Sequence, residues 1–431
     1  GGSNVAVGKD ALGANTTGAK NVAVGYGALD ANTTASNNAA VGYDSLSGNT
    51  TGTGNVGFGY AALTGNTTAD NNTALGNRAM QNNTTGASNT AVGHYSLFNN
   101  TTGAYNVAVG VNCLDANTTA NGNIVVGYNA MTTNTTGATN AVLGYEAMQV
   151  NTTGSSNAAF GSWALAANTT AANNTAVGTY ALTANTTGAY NVAVGKDAMV
   201  TCTTAAETVS VGGFAGRYAT TGGANVSVGY SAGMSITTGI NNVMIGWGAG
   251  VYNPAIGAGA SLTTGNNNTL IGKGVLPSAA GAVGAHGLGY DMECVAGYTT
   301  LGYTSADIRA EFGVATWATI SDERYKKDIV DSTAGLSFVN ALQPRTFKYK
   351  NLGELPSTFT AYKEGSTEVY KNSTTNHGFI AQEVKAAIDA DSSIKDGFKL
   401  WDDRPDGSQE VAEAALIPIL TKAIQELSAK N

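Results

Sequence analysis

The 431 residues carry 21 Lys and Arg against 29 Asp and Glu, and the formal net charge of -8 argues against a nucleic-acid duplex or an anionic membrane as the main partner. No apolar run approaches the ~18 residues needed to span a bilayer, so no membrane insertion is expected. Cys113, Cys202 and Cys294 show neither metal nor disulfide spacing.

Charge is segregated along the chain. Residues 1–272 hold 13 Asp, Glu, Lys and Arg and residues 273–431 hold 37. The sequence opens at Gly1 in mid-pattern with no signal peptide, as expected of a fragment lacking its attachment segment.

Between Asn4 and Asn242 a 17-residue unit recurs fifteen times, in the form N-x-A-V-G-x-x-A-L-x-x-N-T-T-G-x-x; the copy that starts at Asn21 runs Val22-Ala23-Val24-Gly25 … Ala28-Leu29 … Asn32-Thr33-Thr34. A fixed period with few helix signals predicts stacked coils of a β-solenoid, mainly β in class. Alternation predicts a short strand over N-x-A-V-G, a second short strand or bend around x-x-A-L, and then a turn. The glycine at the fifth position serves φ > 0 or close backbone approach. Asn-Thr-Thr-Gly supplies turn chemistry, and repeated Asn predicts side-chain ladders. The eleven Asn-Thr-Thr sequons are read as this turn chemistry and not as glycosylation sites. With coils ~4.8 Å apart, the rod is on the order of 70 Å long.

Each copy has only about two sizeable apolar side chains, one Val and one Leu or Met. That is too little for a core within one chain, so the repeat calls for partner chains. Aromatics at the sixth position, Tyr26, Tyr43, Tyr60, Tyr128 and Tyr145 among them, form a row chemically suited to sugar stacking and are candidate receptor contacts; the alternative is that they cover the surface of a thin rod. The acids Asp30, Asp44, Asp70, Asp115 and Glu146 are singletons on different coils, poorly arranged for acid/base work on a polysaccharide.

The unit resembles the left-handed β-roll of trimeric autotransporter (YadA-like) adhesin heads and similar repeats in bacteriophage tail fibres. The resemblance implies a parallel homotrimer whose recurring Val and Leu positions point to a shared axis.

Over residues 273–320 the period is lost while Gly and Ala persist, as in Leu288-Gly289-Tyr290 and Leu301-Gly302-Tyr303, predicting an intertwined β connector or tip. His286, Asp291 and Glu293 are too scattered for a metal site, and no cofactor is called for.

Residues 321–431 form a third, ordinary soluble segment, α+β with a C-terminal helix. Ser321-Asp322-Glu323-Arg324-Tyr325-Lys326 reads either as a helix N-cap with a charged first turn or as a Ser/Lys pair. In the second reading Arg324 and Lys327 help the lysine give up its proton, and Ser321 stands at or ahead of any helix. Leu416, Ile419, Leu420, Ala423, Ile424 and Leu427 recur at three- and four-residue steps, one apolar stripe suited to a three-helix seam or to packing on its own domain. His377 reads as a structural histidine, with a third catalytic member beside the Ser/Lys pair as the alternative.

Three motifs in order carry a second resemblance: the Ser321–Lys326 run, Ala341-Leu342-Gln343-Pro344-Arg345-Thr346-Phe347, and His377-Gly378-Phe379-Ile380-Ala381-Gln382-Glu383. Together with the closing helix they resemble the C-terminal intramolecular chaperone of endosialidase-type tailspikes and tail fibres. The resemblance implies a domain that trimerises, templates folding of the preceding fibre and cuts itself off. The implied scissile bond is Ile320–Ser321, with Ser321 as nucleophile and Lys326 as base. The expected protein is an extracellular fibre, of a virion tail or a bacterial surface, that binds a host-surface glycan or protein receptor. A bacterial adhesin with retained chaperone and a polysaccharide depolymerase are the alternatives.

Overall fold

A computed structural model describes residues 2–251, 259–304, 306–314, 318–319, 323, 326–391, 394, 400–403 and 408–430. The chain divides into two compact units, residues 1–320 and 321–431.

The first unit is a β-solenoid. Among the described residues, sixteen three-residue strands run from β1 (Val5–Val7) through β2 (Val22–Val24) to β15 (Val243–Ile245) and β16 (Thr269–Ile271). Neighbours are parallel and pair one repeat unit on, with Val5 opposite Val22 and Ala23 opposite Ala40. Numbering the unit from Asn21 as position 1, the middle strand residue (Ala23, Ala40, Ala74) is fully buried, while positions 2 and 4 face outward.

Position 5 shows why glycine recurs. Gly42 has φ 135°, and a Cβ there would lie 2.4 Å from the Gly59 carbonyl oxygen of the next coil. Only a residue without Cβ allows the coils to approach this closely. Positions 6–11 form turns, with no second strand. Leu29 and Leu46 stand there in the left-handed region at φ 52°, each turning its side chain into the interior. Their backbones stack by coil-to-coil bonds such as Leu29 N–H to the Ser45 carbonyl at 3.1 Å.

Two columns of buried Asn complete each coil. The Asn38 N–H donates to Asn21 Oδ1 at 2.9 Å, and Asn38 Nδ2 donates to the Gly52 carbonyl at 2.9 Å. At position 12, Asn66 Nδ2 donates to Asn49 Oδ1 at 2.8 Å. A buried amide is costly unless paired; here the Asn of one coil pairs the Asn of the coil before it, at position 12 as far as Asn185.

The expectation that one chain cannot enclose a core is corrected. Leu29, Leu46, Leu63, Met80 and Leu97 are 0% exposed within a single chain. The coil is thin enough for Ala at positions 3 and 8 and the Asn columns to close it around one Leu or Met. Leu therefore does not point to a shared axis. The strand-face side chains do point outward: Phe58 is 57% exposed, Leu143 51% and Leu288 55%.

Toward its end the rod changes its filling. One hydrophobic cluster extends to Ala205, and a second begins at Ala219. From this break onward, position 9 becomes Gly216 and then Gly233, while position 3 becomes Ser210, Ser227 and then Met244. The Met244 thioether takes the room left by leucine: a Cβ on Gly233 would meet its Cε at 2.8 Å. Large and small residues have exchanged places.

The stack continues past residue 272. β16 pairs with β18 (His286–Tyr290), placing Thr269 opposite His286, still one full repeat on. A short pair joins β17 (Leu276–Pro277) to β19 (Glu293–Cys294). β18 then pairs with β20 (Tyr298–Tyr303) across a shorter coil that sets His286 opposite Thr299. Antiparallel β21 (Ala306–Glu311) and β22 (Ala318–Thr319) close the sheet.

The second unit is α+β. Its elements are α1 (Leu336–Ala341), β23 (Arg345–Phe347) antiparallel to β24 (Asn376–Gly378), α2 (Ala381–Ala390), the hairpin of β25 (Trp401–Asp403) and β26 (Gln409–Val411), and α3 (Ile417–Lys430). Phe338, Leu342, Val384, Ile388, Leu400, Leu416 and Ile419 form its core. Pro418 lies in the first turn of α3, where its missing N–H costs nothing. Further along α3, Glu426 accepts the Leu336 N–H at 2.9 Å and so caps α1 from another helix.

Candidate functional site

The expected scissile bond, Ile320–Ser321, lies outside the described residues. Lys326 is described and exposed, and its N–H donates to the Glu323 carbonyl at 2.9 Å. Residues 326–335 run irregularly to α1, and the helix-start reading of Ser321 and the charged residues after it falls mostly outside the described residues.

The two downstream motifs meet in space. β23 and β24 set Thr346 opposite His377 and Arg345 opposite Gly378. The Arg345 guanidinium grips Glu383 in the first turn of α2, Nε donating to Oε2 at 2.9 Å and Nη2 to Oε1 at 2.7 Å. Nη2 also donates to Gln343. This fork holds the Glu383 carboxyl below its ordinary range and raises the Arg345 guanidinium, each chiefly through the hydrogen bond to the other. Both residues stand within the two sequence motifs, which do not reveal their pairing. The usable signal was a bidentate donor in one motif and a carboxylate at a helix start in the next. His377 is exposed.

The apolar stripe on α3 divides in two. Leu416, Ile419 and Ala423 are buried in their own domain, whereas Leu420, Ile424 and Leu427 are exposed together with Ile417, which the stripe had omitted. Residues 417, 420, 424 and 427 repeat at steps of three, four and three, the spacing of a coiled-coil seam. Leu416 and Ile419 are thus core residues and not seam residues.

The tyrosine row comes together in separate runs. Tyr26, Tyr43 and Tyr60 stack with centroids 5.1 and 5.5 Å apart, and Lys9 lies over the Tyr26 ring. Arg78 bridges on from Tyr60 to Tyr95. A second run joins Tyr128, Tyr145, Trp163 and Tyr180. In the stacked pairs the rings turn their faces to one another and their edges to solvent.

The acids on the coils serve local bonds. Glu146 accepts the Trp163 indole N–H at 2.9 Å, and Asp70 accepts both the backbone N–H and the hydroxyl of Thr53. Burial raises the Asp115 carboxyl. Among the described residues, no three His, Cys, Asp or Glu side chains come together, and no helix is long and apolar enough to cross a membrane.

Residues 321–391 match the Peptidase_S74 family model, whose description is chaperone of endosialidase. No curated protein and no solved structure matches the chain. A β-solenoid of repeated coils joined to a domain of this kind is the make-up of a fibre or tailspike-like protein with a C-terminal chaperone.

Proposed function

We propose that this chain is the shaft of a homotrimeric extracellular attachment fibre, of a virion tail or a bacterial surface, folded and assembled by its C-terminal domain. The observation that carries the reading is the chaperone-of-endosialidase match at residues 321–391, directly behind the solenoid. Supporting it, all sixteen strands turn outward only Val, Ala, Thr, Ile, Leu or Phe at positions 2 and 4. An uncharged apolar face along a whole rod exceeds what a lone soluble chain ordinarily exposes. A second, separate apolar face is the Ile417–Leu427 seam of α3. Parallel chains that pair along such faces fold slowly and aggregate when unpaired, and a clamp that gathers them raises their local concentration.

In this reading the chaperone releases itself at Ile320–Ser321. The Ser321 hydroxyl attacks the Ile320 carbonyl carbon, Lys326 takes the hydroxyl proton and returns it to the leaving amine, and water hydrolyses the resulting ester. Release leaves the fibre kinetically trapped. The receptor is a host-surface glycan or protein.

Intact mass of the freshly expressed protein beside Ser321→Ala and Lys326→Ala tests the release. Wild type is expected to split ahead of Ser321 while both variants stay whole. A wild type that remains a single 431-residue species makes the domain a retained assembly cap and the protein a non-enzymatic fibre. Sedimentation equilibrium tests the count of three. Ile417 and Ile424 at one heptad position with Leu420 and Leu427 at the other is compatible with two strands, so a dimer is the informative alternative.

A further inference from the structure

Fifteen successive coils carry a Thr pair at positions 13 and 14, from Thr16-Thr17 to Thr263-Thr264. Its members differ in what they do. The first binds the rod: Thr33 Oγ1 donates to the Thr50 carbonyl at 3.2 Å, and Thr101 Oγ1 to the Thr118 carbonyl at 3.0 Å. The second, Thr34, Thr119 and Thr136 among them, is exposed in every coil. Among the described residues its hydroxyl enters no hydrogen bond within the chain.

Neighbouring exposed positions drift freely. Position 17 is Lys20, Asn37, Gly54, Tyr105 or Glu207 in different coils. Position 14 does not drift, even where the buried Asn two residues before it becomes Cys202, Ala219, Ile236 or Leu262. Turn chemistry from that Asn therefore does not explain the threonine. Stiffness from β-branching does not either, since Val or Ile would supply it at an exposed position. What has been kept fifteen times is a hydroxyl pointing at solvent.

We propose that this column is a docking edge for a neutral linear polysaccharide lying lengthwise along the rod. The proposal rests on the attachment-fibre reading and moves the glycan contact away from the tyrosine runs, whose ring faces are turned on one another. Groups repeating every ~4.8 Å are matched by a ligand that itself repeats. Positions 12–15 bear no charged side chain in any of the fifteen coils, which selects an uncharged chain. One outward hydroxyl column suits a line, where a crystalline plane such as ice would need several. The edge lies on a different stretch of the coil from the apolar strand face (Thr34 against Val24). A rigid array adds weak contacts without ordering cost at each one.

Affinity electrophoresis of the full chain through gels containing hydroxyethyl cellulose, pullulan or dextran tests this, with carboxymethyl cellulose as the charged control. The variant is Thr119→Val, Thr136→Val and Thr153→Val together, which keeps branching and removes three hydroxyls. Wild type is expected to be retarded by at least one neutral polymer and the variant to bind at least about tenfold more weakly, at ~1 kcal/mol per hydrogen bond. The matching Ser variant should retain binding. Failure of all three neutral polymers to retard wild type overturns the proposal, as does equal retardation of the Val variant. A Val variant that changes sedimentation mass instead assigns the column to chain pairing. If wild type still sediments as a trimer and adheres to cells while no polymer binds, the fibre reading stands and only this inference falls.

Discussion

At the scale of single residues, the rod is set by groups that allow no choice. Gly93 has φ 132°, and a Cβ on it would lie 2.4 Å from the Gly110 carbonyl oxygen. Gly93→Ala is therefore expected to cost about 3 kcal/mol or more, read as a fall in thermal midpoint. The reverse holds where the core filling changes. The buried Ser210 and Ser227 hydroxyls have no partner among the described residues. Ser210→Ala and Ser227→Ala should each stabilise the rod by about 1 kcal/mol in denaturant titrations, since a dehydrated hydroxyl without a bond is removed. Burial pushes the thiols of Cys113 and Cys294 up to about 12 and that of Cys202 to about 11. All three are expected to resist alkylation at neutral pH until the protein unfolds, which mass spectrometry reads directly. In the second unit, Arg345 holds the Glu383 carboxyl below its ordinary value of 4.5. A lowered folded value means that the pair's contribution is complete above the ordinary glutamate range and disappears as pH falls through the folded value. Protection of the amides of residues 376–390, taken relative to their intrinsic exchange rate at each pH, should thus fall on acidification below about 4.5 in wild type, while Glu383→Gln is less protected already at neutral pH.

At the scale of elements, α3 has one face packed on its own domain and one apolar face left exposed. Ile419 is 4% exposed and Ile424 67%. Ile419→Ala should destabilise the domain by about 2–4 kcal/mol. Ile424→Glu should leave the fold intact by circular dichroism and reduce self-association by sedimentation. Equal behaviour of the two would mean that the seam does not exist. The helix was visible in the sequence, but its two faces were not, because Leu416, Ile417, Ile419 and Leu420 are all apolar and spacing alone does not say which side meets the domain. The strands were legible for a simpler reason: Gly25 and its counterparts Gly42 and Gly59 fix the coil length, and Asn21 and Asn32 mark its corners. The direction of the side chains was not legible. Val is the larger strand residue and reads as core, yet the inward strand position is 3, where Ala23 stands beside Leu29, and Val22 and Val24 are turned outward. The continuation of the stack through β18 was hidden because Gly287 and Gly289 carry no side-chain pattern to extend the period. The Arg345–Glu383 fork joins residues 38 apart and has no local signature.

At the scale of the whole chain, the solenoid grows by addition. Each coil touches mainly the coils before and after it, so stability is close to a sum of like terms. Deleting residues 123–139, one complete unit, should leave a folded rod with a thermal midpoint within a few degrees of wild type. Deleting residues 123–130 should abolish folding, because Gly, Asn and Leu then fall out of line with their neighbours. The same sameness has a consequence for assembly. A row of identical coils is translationally degenerate: two chains displaced by one unit, or one chain skipping a coil as it winds, meet almost the same local surroundings as in the true alignment. Nothing in the stretch from Asn21 to Asn191 tells one coil from the next strongly enough to forbid the slip. The exchange of Leu for Gly at Gly216 and Gly233, and the longer step between β15 and β16 that sets Val243 opposite Thr269, are what break the degeneracy. They act as an index mark on an otherwise uniform ruler, close to the end where the chaperone domain follows. In the proposed assembly, shaft length is then free to change by whole coils without disturbing the alignment of the paired chains.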